Sequence, residues 1–120
     1  MKPENQKILF DAFPSLYKEI GYIECGDGWT DILYFLSDTV AHYIFQMPEE
    51  IRDSVYFTQV KEKFGALRVY TSKHVPFIEG AITMAEAVSY HTCQDCGMPG
   101  NYTSINGALM TRCSDCLNKL

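Results

Sequence analysis

Cys93-Gln94-Asp95-Cys96-Gly97 is answered sixteen residues later by Cys113-Ser114-Asp115-Cys116. The pattern is C-x2-C-x16-C-x2-C. Each C-x2-C pair turns two sulfurs toward one point, and two such pairs supply the four soft ligands of a tetrahedral zinc. The spacing is that of a zinc ribbon. Between the pairs, Tyr102-Thr103-Ser104-Ile105 and Ala108-Leu109-Met110-Thr111 flank Asn106-Gly107, the dipeptide of a tight type I′ hairpin. Four thiolates leave no position for water, so the expected ion is structural Zn2+, held by Cys93, Cys96, Cys113 and Cys116, with an iron–sulfur site the residual alternative. A ribbon of this size has little apolar core, and metal binding supplies most of its folding energy.

Working outward, 120 residues make one domain, or a small domain with a metal-dependent mini-domain. The apolar fraction of 47% excludes a disordered chain. The formal charge is -5, and four zinc-bound thiolates would take it to -7. So acidic a chain is a poor generic binder of nucleic acid. The N-terminus Met1-Lys2-Pro3-Glu4-Asn5-Gln6 is polar, with no apolar segment of a secretory leader after it. No apolar run is long enough to span a bilayer. Metal-spaced cysteines with an odd Cys25 suit a reducing cytoplasm.

The charge is uneven. Residues 1 to 60 balance at -6, residues 61 to 74 at +3, and residues 75 to 120 at -2. A basic island of Lys61, Lys63, Arg68 and Lys73 therefore interrupts an acidic chain.

Upstream of the ribbon the period is first helical. Ile8, Leu9, Ala12, Phe13, Leu16 and Ile20 share one helical face, but Pro14 breaks it. Either two short helices or one kinked helix is expected before Gly21. Gly26-Asp27-Gly28 is a turn, and Asp27 is placed to cap the next helix. That helix, about 29 to 46, should bury Trp29, Ile32, Leu33, Leu36, Val40, Ile44 and Met47. Pro48 ends it, and one helical turn follows. Then Val55 to Lys61 and Leu67 to Thr71 read as strands around a turn of three to five residues. Tyr22-Ile23-Glu24-Cys25 is a candidate third strand. A last helix, about 77 to 90, with Ile78, Ala81, Ile82, Ala85 and Val88 or Ser89 inward, runs straight into Cys93. The expectation is an α+β body, residues 1–90, with helices on a small antiparallel β-hairpin sheet. A zinc ribbon, residues 91–120, is docked on it.

Beyond the cysteines the candidate sites are few. Lys61 and Lys63 share one side of their strand. With Arg68 they could contact phosphates or an acidic partner. Asp27 and Trp29 could form a binding corner; a cap and a core residue explain them without function and are the favoured reading, although Gly-Asp-Gly-Trp is denser than a cap requires. Cys25 has no histidine near it in sequence and reads as a small buried residue. His91 is a surface residue beside a complete ligand set. Asp53, Gln59 and Lys61 faintly resemble the acid–strand–lysine arrangement of metal-dependent nucleases, without the second carboxylate that two-metal chemistry needs.

Four stretches together carry a resemblance. They are Ile23-Glu24-Cys25-Gly26-Asp27-Gly28-Trp29, Gln59-Val60-Lys61-Glu62-Lys63-Phe64-Gly65-Ala66-Leu67-Arg68-Val69-Tyr70, Ser89 to Gly100, and Thr111 to Cys116. Their order and wording resemble a family of small, uncharacterised proteins of bacteriophages and prophages, over about residues 14 to 118. The resemblance implies a phage-type protein acting in a bacterial cytoplasm and carries no catalytic residues with it. It fits a non-enzymatic protein that binds a bacterial host protein, inhibiting or redirecting a host factor such as a defence system. Nucleic acid, contacted through the basic hairpin, is the alternative partner, and a nuclease the third reading.

Overall fold

A computed structural model describes residues 1–120. Pro3 starts α1 (Pro3–Ala12), where its missing N–H is no loss. Pro14 then prevents continuation. Residues 14 to 19 form turns rather than the second helix or kinked helix expected, with Tyr17 N–H on Phe13 O and Ile20 N–H on Tyr17 O. Leu9, Phe13, Leu16 and Ile20 are buried as expected, but Ile8 is exposed. Met1 and Gln6 are buried instead. The terminal amine donates to Ile23 O, and the Gln6 side chain bridges Met1 O and Ile23 N–H.

A 3₁₀ turn, Asp27–Trp29, leads into α2 (Thr30–Phe45). Leu33, Leu36, Ser37 and Val40 form its buried face. Ser37 escaped the apolar pattern because it is polar, and its hydroxyl is satisfied by Tyr17 Oη at 2.7 Å. One further turn, α3 (Glu49–Arg52), precedes the sheet.

Strands β1 (Phe57–Lys63) and β2 (Ala66–Thr71) pair antiparallel, with Lys61 opposite Arg68 and Val60 opposite Val69. Their turn is two residues, Phe64 (φ 53°) and Gly65 (φ 84°), shorter than expected. Two positive φ values make it type I′. The third strand shrinks to a single parallel bridge at Glu24, which gives and takes backbone bonds along the free edge of β1. The free edge of β2 is closed by side chains of α4 (Pro76–Ser89). Ser89 Oγ and the Glu86 carboxylate accept the Leu67 and Val69 N–H groups. A two-stranded sheet therefore leaves no open edge at these positions.

The C-terminal unit holds β3 (Asn101–Ile105) and β4 (Ala108–Arg112), paired antiparallel around Asn106-Gly107, then α5 (Ser114–Asn118). The whole is α+β: five helices and two small two-stranded antiparallel sheets. The core gathers Trp29, Phe57, Leu9, Ile23, Leu33, Leu67, Ile78 and Val60, all fully buried. It draws on residues from Met1 to Ala85 and on nothing after them. No helix is long and apolar enough to cross a membrane.

Candidate metal centre

Helix α4 ends in a tightening turn. Tyr90, His91 and Thr92 donate back to Ala87, Val88 and Ser89, which delivers Cys93 with no linker. The first knuckle closes when Cys93 N–H bonds Met98 O and Gly97 N–H bonds Cys93 O. The β3–β4 hairpin then returns the chain to Cys113. Its Sγ accepts the Cys116 N–H at 3.4 Å and so caps α5.

The four sulfurs lie within 4.8 Å of one another, and Cys96 Sγ and Cys113 Sγ are 3.7 Å apart. Metal–sulfur bonds of about 2.3 Å in a tetrahedron require sulfur pairs about 3.8 Å apart. The cluster is therefore a group that could hold a metal ion. Burial pushes the Cys93 thiol up, but N–H groups of Cys113, Cys96 and Asp95 aimed at its sulfur outweigh this, and its pKa falls to about 6. The hydrogen bond to Cys113 above all, then loss of solvent and the neighbouring Cys93 and Cys96, hold Cys116 at about 12. The Cys93 thiolate forms readily, whereas Cys96 and Cys116, both raised by their neighbours, need a cation to balance them. His91 lies outside the set, and no other group of His, Cys, Asp or Glu converges in this way. Asp53, after α3, belongs to no group of three or more His, Cys, Asp or Glu side chains placed to hold a metal ion.

The Gly-Asp-Gly-Trp corner explains how the first knuckle is held. Gly28 N–H donates to Gln94 O, and Trp29 Nε1 donates to Thr92 O at 2.9 Å. A Cβ at Gly26 would lie 2.0 Å from Gln94 O, and one at Gly28 2.0 Å from Cys93 O. The two glycines are there because the knuckle's backbone lies directly on theirs. Trp29 is fully buried and offers no surface to a partner. Asp27 does not cap α2. Its Oδ1 accepts from Lys2 N–H and the Asn5 amide, tying the start of α1 to the corner. Partial burial raises the Asp27 carboxyl, and those two donors more than reverse it, leaving it below its ordinary value.

The hairpin tip is clamped to the ribbon. Thr111, fully buried, donates its hydroxyl to Gly65 O at 2.7 Å, while its N–H bonds Gln94 Oε1. Tyr102 Oη donates to Phe64 O. A Cβ at Gly65 would meet Met110 N at 2.7 Å. Neither Thr111 nor Gln94 carries a sequence signal. The glycines around Asp27, denser than a cap requires, were the one clue to the knuckle's seat.

The register brings Lys61, Lys63 and Arg68 to one face of the sheet. None of the three is in a salt bridge with any carboxylate of the chain. Arg68 donates to Tyr90 Oη and Leu67 O, and Lys63 Nζ sits 5.7 Å over the Phe64 ring. Cys25 is buried in the core, where loss of solvent lifts its thiol to about 12. Comparison with family models, curated proteins and solved structures returns no match.

Proposed function

We propose that the chain is a zinc-stapled binding protein that docks a protein partner through the outer face and tip of the β1–β2 hairpin. One comparison inside the molecule carries the reading. Both hairpins turn on two residues of nearly identical φ, 53° and 84° at Phe64-Gly65, 50° and 84° at Asn106-Gly107. Asn adopts the first position at little cost. Phe does not. The clamp to the ribbon uses only the backbone carbonyls of this turn. It therefore accounts for the turn and not for a phenylalanine ring at its strained position, which marks a place where something other than folding is served. Phe64 is 68% exposed, so the core gains nothing from it. It stands beside Lys63, with exposed Tyr70 and the unpaired Lys61 further along the same face. An aromatic anchor beside two lysines that make no ion pair suits an acidic protein surface. The resemblance to phage proteins points to a bacterial host protein. The ion is read as Zn2+, and its role as structural, since four thiolates complete its shell.

The test is capture from bacterial lysate by the immobilised, zinc-loaded chain, comparing wild type with the triple variant Lys61→Ala, Lys63→Ala, Arg68→Ala. A specific partner retained by wild type and lost with the variant is expected. Equal recovery by both, or none by a verified folded chain, refutes the reading. The exposed aromatics among cations also favour a second reading, a single-stranded nucleic-acid platform. That reading requires affinity falling steeply with salt, with a slope reduced by about one per lysine removed. The net charge of -5 stands against it.

A further inference from the structure

Helices α2 and α4 pack side by side. Tyr43 at the end of α2 stacks on Phe77 at the start of α4, ring centroids 4.4 Å apart, so the two run antiparallel. Between them lies a groove of about 440 Å³, walled by Ile32, Phe35, Ala81, Met84 and Val88, with Asp31 at its rim. Phe35 is 68% and Met84 67% exposed, and neither contributes to the core. From Ile32 to Thr39 the wall runs about 10 Å, at 1.5 Å per residue, or two turns of a helix laid along it.

The charges select the occupant. Neither the 16 residues of α2 nor the 14 of α4 include a Lys or Arg. Their acidic residues are Asp31, Asp38, Glu79 and Glu86. Glu79 and Glu86 are occupied by His74 and the Val69 N–H, and Asp38 by His42. Asp31 has no ion-pair partner within the chain. An apolar trough whose one charged lining residue is the unpaired Asp31, between two helices that carry no Lys or Arg, fits a cationic amphipathic helix better than a second copy of this acidic chain.

We infer that the α2–α4 groove docks an amphipathic helix of a partner, with apolar anchors at i, i+4 and i+7 and Lys or Arg flanking them. This surface is separate from the hairpin, so either reading can fail alone. The test uses a fluorescent synthetic peptide of about four helical turns, with leucines at those positions and flanking lysines. Anisotropy is measured on the full metal-loaded chain, with a glutamate-flanked peptide and a composition-matched scrambled one alongside. The lysine-flanked peptide binds saturably and the other two do not. Met84→Asp and Phe35→Ala, both at exposed sites, weaken it about tenfold or more. Asp31→Asn weakens it and flattens its salt dependence. The Lys61, Lys63, Arg68 triple alanine variant leaves it unchanged. The proposal is overturned by equal binding of both charged peptides, by no saturable binding, or by binding indifferent to Met84→Asp. It is equally overturned by a wild-type dimer in sedimentation that Met84→Asp dissociates, which would make a second copy the occupant.

Discussion

A methyl group added at Gly28 would sit 2.0 Å from the Cys93 carbonyl oxygen, whereas one added at Gly80 meets nothing within 4 Å. The same substitution therefore has opposite signs at the two sites. Gly80 lies inside α4, and Gly80→Ala should stabilise the protein by roughly 0.5–1 kcal/mol, read from urea unfolding of the metal-loaded chain. Gly28→Ala cannot relieve its contact by moving a side chain, because the neighbour is backbone. A loss of about 3 kcal/mol is expected, together with faster metal loss to a chelator. Stability equal to wild type would mean that the corner does not seat the knuckle. Titratable residues set the pH limits. Cys25 is pushed up to about 12 from an ordinary 9.0, and Tyr17, desolvated in the same core, is also raised. Their stabilisation is complete below the ordinary values and is lost as pH rises through 9 toward 12. Asp27 is lowered, so its contribution is present above 3.8 and disappears as the pH falls below it. The alkaline loss is checked by denaturant midpoints between pH 8 and 11. Cys25→Ser tests its origin: if the alkaline slope is unaltered, Cys25 is not the titrating group.

Among the elements, the two hairpins separate what a sequence discloses from what it conceals. Asn106-Gly107 announces its turn because both residues tolerate positive φ, and β3–β4 forms as read. Phe64 gives no such signal, and its turn was expected to be longer. Replacing it tests both the strain and the function. Phe64→Asn should stabilise the fold by about 1 kcal/mol, since the left-handed region is cheaper for Asn. It should also weaken partner capture, because the exposed ring is gone. A variant that is stabilised and still captures the partner fully would remove Phe64 from the binding face. The helices were legible for a simple reason: α2 and α4 carry a 3.6-residue apolar period strong enough to outweigh local exceptions. Their polar insiders were not. Ser37 is buried because Tyr17 answers it, and Ser89 because β2 needs an acceptor at its edge. These reasons lie 20 and 22 residues away in sequence, beyond the reach of any local pattern.

At the scale of the whole molecule, the convergence of the four cysteines was legible and the seat of their cluster was not. Cys-x2-Cys spacing is local, but the contacts of Gly26, Gly28 and Trp29 with residues 92 to 94 join parts of the chain more than 60 residues apart. The resulting shape is long, 50 × 28 × 20 Å, with a radius of gyration of 14.7 Å against about 13.6 Å for a compact domain of this length. The ribbon extends the molecule without enlarging the core, so hydrogen bonds, and a metal if the four cysteines take one, must hold it. Trp29 reports on this arrangement. It is the chain's one tryptophan, fully buried, with its indole N–H on the carbonyl just before Cys93. Removing the metal with a strong chelator should release the knuckle, admit water to the indole and shift its emission to the red. Far-UV circular dichroism should change little, because α1, α2 and α4 stand on a core that ends before the ribbon. Two results would contradict the assembly. Metal release without any shift would show that the knuckle keeps its seat unaided. Collapse of the helical signal together with the shift would show that the body cannot stand without its staple.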